Sequence, residues 1–86
     1  MALHDYKRVR LPDLYAESVT VDGVLYGLCV KRSMFEVWCD HRMVAKAETT
    51  VGHNKTIRMG RGALRELIYI RGKKRRATAR RRSRSR

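Results

Sequence analysis

The stretch that decides the fold is Glu17–Lys31, with the sequence ESVTVDGVLYGLCVK. Val19 and Val21 alternate with polar residues before Asp22–Gly23, and a second β-prone run begins at Val24. Asp-Gly between two such runs is the strongest short-range signal for a hairpin, because both central positions of a type I′ turn need positive φ, which Asp and Gly tolerate. The sequence therefore predicts an antiparallel hairpin across this dipeptide.

Strand-like patterns continue on both sides of the hairpin. Its second strand, Val24–Lys31, is apolar on both faces, as a central strand is. After a polar break, Met34–Asp40 alternates again, and Arg42–Thr50 follows until a turn at Gly52–Asn54. Before the hairpin, Pro12 marks an extended or turning segment, which is either an arm or a short edge strand. These patterns predict a meander of three to four antiparallel strands.

The period changes after the last turn. Four apolar residues recur at the spacing of one helical face: Ala63, Leu64, Leu67 and Ile68. This stripe predicts a helix over Arg61–Arg71 that ends near Gly72. A strand through residues 67–70 is the alternative, because three of these four residues are β-prone. With the helix, the predicted fold class is α+β: a small antiparallel sheet of three to four strands, one C-terminal helix and a disordered basic tail.

Charge divides the chain into two parts. The 86 residues include 21 Lys and Arg against 8 Asp and Glu, a net charge of +13, and residues 71–86 hold ten of those cations and no acid. Residues 1–70 hold the other eleven cations and all eight acids, a net of +3. A block of like charges repels itself and buries no apolar surface. We therefore expect one small folded domain over residues 1–71 and a disordered Arg-rich tail over residues 72–86.

Nucleic acid is the partner that the tail favours. Each cation that neutralises a phosphate releases condensed counterions, so binding is expected to be strong, indifferent to base sequence and sensitive to salt. The predicted contacts in the tail are Lys73, Lys74, Arg75, Arg76, Arg80, Arg81, Arg82, Arg84 and Arg86. RNA is slightly favoured over DNA, because arginine-rich segments fold on RNA and a sheet can meet unpaired bases.

Two basic clusters in the domain add further predicted contacts. Lys7, Arg8 and Arg10 lie near the N terminus, and Lys55, Arg58 and Arg61 lie beside the predicted helix start. Residues 59–62, with two glycines, are predicted to offer backbone amides to phosphate, and the alternative for both clusters is that they are solvated loop charges. Trp38 and Tyr26 are candidate stacking surfaces for bases, with core packing as the more frequent role.

Catalysis, metals and cofactors are not expected. Cys29, Cys39, His41 and His53 could supply four zinc ligands, but only Cys39 and His41 have the close spacing that structural zinc sites show. Buried thiols and surface imidazoles are the favoured interpretation, and the cysteines are expected to be free rather than disulfide-bonded. No carboxylate pair, phosphate loop or HExxH element indicates an enzyme.

The setting is expected to be intracellular. The first eight residues mix charges where a secretory signal has an apolar core, and no run of apolar residues is long enough to span a bilayer, which predicts the cytoplasm or nucleus and no membrane partner. No small-molecule substrate is expected, and a homodimer is possible because small domains often gain stability by association.

A compact β-rich module with an Arg-Ser-rich extension resembles small basic proteins of viruses and phages and some ribosomal proteins, and the resemblance covers the tail only. Two other functions stay open. One is a protein-binding inhibitor or adaptor whose tail is a localisation signal, with Lys73–Arg76 as the core of a nuclear import sequence. The other is a structural protein associated with the ribosome.

Overall fold

A computed structural model describes the backbone of residues 6–84 and the side chains of residues 6–74. The five strands form one antiparallel sheet in the order β1-β2-β3-β4-β5. The elements are β1 (Tyr6–Leu11), β2 (Leu14–Val21), β3 (Val24–Lys31), β4 (Met34–Cys39), β5 (Arg42–Glu48) and α1 (His53–Arg84). The predicted α+β class and meander are confirmed, but the sheet has five strands rather than three to four. The additional strand is β1, the edge strand that the sequence allowed as an alternative to an arm.

Two-residue turns join all five strands. Asp22 and Gly23 both have positive φ, of 52° and 78°, which confirms the type I′ hairpin predicted from that dipeptide. Asp40 and His41 repeat this backbone with φ of 53° and 66°. In the turn after β1, Pro12 precedes Asp13, whose φ is 60°. A two-residue turn places consecutive strands side by side, where they pair. The meander therefore follows from the residues of the turns.

One face of the sheet is buried and carries the core. The alternation predicted for β4 is confirmed, because its odd-numbered positions are buried on the helix side. In β3 the even-numbered positions from Tyr26 to Val30 are buried on the same side. The core consists of Tyr15, Tyr26, Leu28, Val30, Phe35, Val37, Cys39, Ile57 and Leu64. Seven of these nine residues come from the sheet and two from α1, which packs across β3 and β4. The helix is thus the only described element that covers this face.

A bulge interrupts the pairing of β4 with β5. Val37 pairs with Ala45, while the next residue, Trp38, pairs with Met43, so Val44 is the extra residue. Met43 therefore lies on the face opposite the helix, whereas the simple alternation of the sequence placed it with Ala45. A one-residue insertion reverses the facing of every residue beyond it, which is why the pattern failed at this point.

The predicted bounds of the helix are wrong at both ends. α1 begins at His53, eight residues before the predicted Arg61, and it continues through Gly72 to Arg84. The alternative strand at residues 67–70 is also wrong. At the N terminus, the Thr56 amide and hydroxyl both donate to the Gly52 carbonyl, at 3.0 and 2.6 Å. At the other end, Lys, Arg and Ala are good helix formers and no proline occurs. The structure thus has helix over residues 72–84, for which the sequence predicted disorder.

Close approach of α1 to the sheet depends on Gly60. A Cβ at this position would lie 2.7 Å from Leu28 Cδ1 and 3.3 Å from the Phe35 Cβ. Gly62, two residues later, faces open space, with nothing within 4 Å of the same construction. The two glycines therefore have different roles inside one helix. The first allows close contact with the sheet, and the second faces solvent. Among the described residues, no helix combines the length and apolarity needed to cross a membrane.

We expect Gly60→Ala and Gly62→Ala to have opposite effects on stability. Both substitutions gain up to about 1 kcal/mol from helix propensity, but the first also overpacks the core against Leu28 and Phe35, at a cost of about 1–3 kcal/mol. Urea unfolding of the two variants should therefore place the first about 1–3 kcal/mol below the second. Equal stabilities would show that the helix does not need a glycine to approach the sheet.

Candidate nucleic-acid interface

The excess positive charge lies on a single element. α1 contains thirteen Lys and Arg and one acid, Glu66, which gives the helix a net charge of +12. Residues 1–52 contain seven cations and seven acids, so the sheet and its turns are neutral. The remaining +1 belongs to Arg86. The sequence placed a net of +3 in the domain, and the helix bounds now assign that charge to α1 as well.

Part of this helix lies beyond the sheet. A helix of 32 residues is about 48 Å long, whereas strands of six to eight residues span about 20–27 Å. The longest dimension of the protein, 54 Å, reflects that difference. Arg71, Lys73 and Lys74 are exposed where the helix leaves the sheet. The other predicted tail contacts, Arg75, Arg76, Arg80, Arg81, Arg82 and Arg84, lie on the helical backbone beyond the described side chains, and Arg86 lies outside the described residues.

The N-terminal basic cluster is divided by the alternation of β1. Arg8 pairs with Glu17 and Arg10 with Tyr15, whose side chains are buried on the helix side of the sheet. Cross-strand partners share a face, so Arg8 and Arg10 lie on the side of α1. Lys7 pairs with Ser18 and lies on the opposite face. The structure therefore brings two of the three predicted residues towards the helix and separates the third.

Glu17 joins the N-terminal cluster to the helix. Its side chain is only 5% exposed, and its Oε1 accepts hydrogen bonds from Arg61 Nε at 2.9 Å and from the Tyr15 hydroxyl at 3.0 Å. The negative charge of Glu17 raises the pKa of Arg61. Burial, reinforced by the hydrogen bond to Glu17, raises the pKa of Tyr15 to about 12. A buried carboxylate without its partner would cost several kcal/mol, so this ion pair fixes α1, which packs across β3 and β4, relative to β2.

Arg10 is held from two sides. Its guanidinium carbon lies 5.9 Å from the centre of the Tyr15 ring, within the range of a cation–π contact. Its Nη2 lies 3.4 Å from Oδ1 of Asn54, in the first turn of α1. These contacts place the side chain between β1 and the start of the helix.

The helix cluster occupies the interior of α1 and not its start. Asn54, Arg58 and Arg61 follow i, i+4, i+7 spacing, which puts them on one helical face, and the contacts of the first and last residues turn that face towards β1 and β2. Lys55 is exposed further round the helix. The proposed phosphate contact of residues 59–62 through free backbone amides is wrong, because these amides lie inside the helix and its hydrogen bonding.

The two candidate stacking residues have different positions. Tyr26 is fully buried on the helix side, so its suggested role in stacking is wrong and its core role is confirmed. Trp38 is half-buried on the opposite face, beside Gly27, and its Nε1 donates to Glu36 Oε1 at 3.3 Å. Only the second of these rings lies on a face that no described element covers.

The four residues considered for zinc do not converge. Cys29 and Cys39 are free thiols on opposite faces of the sheet, and His53 Nδ1 lies 2.9 Å from the carbonyl oxygen of Arg32. Within residues 6–84, no three His, Cys, Asp or Glu side chains lie close enough to share a metal ion. The described part of the chain thus offers no built metal centre.

Comparisons of the chain with protein-family models, curated proteins and solved structures found no match.

Sequence reasoning missed Glu17, the residue that organises the interface. It stood at the start of an alternating run, and its partner Arg61 is 44 positions away. The only available signal was an acid at an inward position of a strand, which requires a cation or hydrogen-bond donors to pair with it.

The hydroxyl of Tyr15 gives a test of this buried cluster. Because its pKa is raised from 10.0 to about 12 by folding, its contribution to stability is complete below pH 10 and is lost as the pH rises through 12. We expect the free energy of unfolding to fall by up to about 2–3 kcal/mol over this interval. Tyr15→Phe should remove this part of the pH dependence, whereas Tyr69→Phe, at an exposed position, should leave it unchanged. Urea unfolding at a series of pH values measures the difference, and identical curves for the two variants would contradict it.

Proposed function

We propose that this protein is a non-enzymatic nucleic-acid-binding protein, with RNA slightly favoured over DNA, and that its cationic helix supplies most of the affinity. The observation that carries the proposal is the segregation of charge: +12 on one helix above a neutral sheet. A surplus spread evenly over the surface would serve solubility alone. A surplus concentrated on one rod creates a local potential that attracts a polyanion and raises its association rate.

The fold supports this division of roles. The first half of α1 buries Ile57 and Leu64 in the core and so anchors the helix. From Arg71 onward the same helix extends beyond the sheet with nine cations up to Arg84 and no acid. Each phosphate neutralised there releases counterions, which gives affinity without reading bases. The preference for RNA rests on arginine-rich helices that become ordered on RNA and on Trp38, which could stack on an unpaired base.

Removal of residues 72–86 should abolish most of the binding. This segment holds nine Lys and Arg, and none of the core residues. A plot of log affinity against log salt concentration should have a negative slope of several units for the full chain. Each phosphate contact contributes about −0.9 to this slope on duplex DNA and about −0.7 on single strands. The truncated protein keeps every core residue, and circular dichroism should confirm that it is folded. It should show weak binding and a much shallower slope. Coincident slopes for the two proteins would end the proposal.

Charge position can be separated from charge amount with two triple variants. One removes three exposed cations of the helix, Arg71→Gln, Lys73→Gln and Lys74→Gln, and the other removes three exposed cations of the sheet and its turns, Lys31→Gln, Arg32→Gln and Arg42→Gln. Both lower the net charge from +13 to +10. We expect the helix variant to lose about 2–2.7 units of salt slope and the sheet variant less than one, measured by fluorescence anisotropy with a labelled oligonucleotide. Equal losses would mean that only total charge matters.

A second candidate function, a protein-binding adaptor, is favoured by one observation. A groove of about 260 Å³ runs between α1 and β5, lined by Val37, Val44, Ala45, Ala63, Glu66, Leu67 and Ile70. Val44 and Ile70 are 50% and 40% exposed, so the groove presents apolar side chains to solvent. An adaptor would keep its protein partner after removal of residues 72–86, whereas the nucleic-acid-binding protein would lose its ligand.

A further inference from the structure

We infer that Arg8 and Arg10 of β1, with Arg61 of α1, form a built site for the phosphate groups of a polynucleotide, and that Glu17 is the positioning residue of that site. The inference rests on the proposed function and adds to it a defined place on the folded domain. These three arginines are expected to contact phosphates at defined positions, whereas the remaining cations are expected to attract the polynucleotide only through their charge.

The first argument is an imbalance of charge. Four arginines lie on the facing sides of β1 and α1, which we call the groove: Arg8, Arg10, Arg58 and Arg61. Among the described residues, the acid that contacts this group is Glu17. That carboxylate is already satisfied by Arg61 and Tyr15. Among the described residues, no ion pair engages the other three arginines. A structural ion pair needs one arginine, so the groove holds three more positive charges than the fold requires.

The second argument is orientation. Glu17 takes only the Nε–H of Arg61, at 2.9 Å, so the four hydrogens on its two Nη nitrogens stay available to an external acceptor. The Arg61 side chain is 37% exposed, so those hydrogens are accessible. The Glu17 side chain is 5% exposed, so the carboxylate that holds Arg61 is fixed by its surroundings. Arg10 is similarly placed by the Tyr15 ring and Asn54. Guanidinium groups fixed in this way lose little entropy when they bind.

The third argument identifies the ligand. A guanidinium presents two parallel N–H bonds that match two oxygens of a phosphate, and Arg is preferred over Lys where such planar recognition matters. Every cation in the groove is Arg, whereas Lys7 lies on the far side of β1. Arg8 and Arg10 lie about 6.8 Å apart along the strand, so they present two successive positions for acceptors along an extended polyanion.

The groove includes Arg61, which lies on the same helix as the cationic end. Twelve residues separate Arg61 from Lys73, which is about 18 Å along the axis of α1. One polynucleotide of modest length therefore reaches both, and binding at the groove fixes the position of a strand that the helix end holds only by charge. Phosphate is common to RNA and DNA, so the site serves either backbone.

The test uses the full chain and two double variants of equal charge. Arg8→Gln with Arg10→Gln removes two exposed arginines from the groove, and Lys31→Gln with Arg42→Gln removes two exposed cations away from it. Binding to a labelled 20-nucleotide single strand, as RNA and as DNA, is measured over a salt series. We expect the groove variant to lose roughly tenfold in affinity and about 1.4 units of salt slope, and the control to change less than threefold.

The result also separates this inference from the proposed function. If the unmodified protein binds neither nucleic acid, the proposed function fails. If it binds and both double variants behave alike, the function survives and the groove site is overturned. A loss on RNA alone or DNA alone would overturn it too, because phosphate recognition affects both.

Glu17→Gln tests the positioning role by the sign of its effect. The substitution keeps the side-chain volume and adds one positive charge, so electrostatic attraction alone predicts tighter binding. The neutral amide oxygen of Gln is a weaker acceptor than the carboxylate, so a looser hold on the Arg61 guanidinium predicts weaker binding instead. We expect affinity to fall by about threefold or more, with urea unfolding and circular dichroism confirming that the variant is folded. Tighter binding by the folded variant would overturn the role of Glu17, and the Arg8 and Arg10 variant keeps the site testable should this one unfold.

Discussion

The contact of α1 with the sheet at Gly60 is the constraint on which the rest of the structure depends. One helix has to cover the apolar side of five strands, and it can do so only if its backbone comes close to Leu28 and Phe35. That approach buries Ile57 and Leu64 and brings Arg61 within reach of Glu17. The packing at Gly60 and the ion pair at Glu17 therefore depend on the same placement of α1.

The same helix contributes to the core and holds the excess positive charge. The molecule is therefore asymmetric in its distribution of charge. Elements that pack a core usually place their charges evenly on the outer face. Here the covering half of α1 has four cations and one acid, while the half from Arg71 to Arg84 has nine cations and none. The neutral sheet then acts as a support that holds one end of a polycation. A polyanion that meets this surface is attracted to one end of the molecule and not to its whole surface.

Most of the sheet could be predicted from the sequence, because local chemistry determines it. Asp22–Gly23 specified a turn, and the alternation in β4 separated its two faces, whereas β3 is apolar on both faces and did not show which one is buried. The bulge at Val44 could not be predicted, since one extra residue leaves no mark in an alternating pattern. The predicted bounds of the helix were wrong because Gly60, Gly62 and Gly72 disfavour helix. In α1, packing against the sheet or neighbouring residues of high helix propensity override that tendency. The candidate site was predicted only as unconnected basic clusters. Its organiser, Glu17, depends on a contact across 44 residues, which no local pattern contains.

Two opposing effects determine the stability of the helix beyond the sheet. One of them, charge repulsion, depends on whether a polyanion is bound. Arg, Lys and Ala favour helix, yet like charges three and four residues apart repel each other by a few tenths of a kcal/mol per pair. Residues 71–76 contain five cations, and residues 80–84 contain four. In the absence of tertiary packing, the helical state of such a segment becomes more stable as its charges are neutralised. Phosphates supply that neutralisation, so the polyanion that the helix attracts also removes the main force opposing the helix, and the anchored first half of α1 provides the nucleus that an isolated peptide would lack.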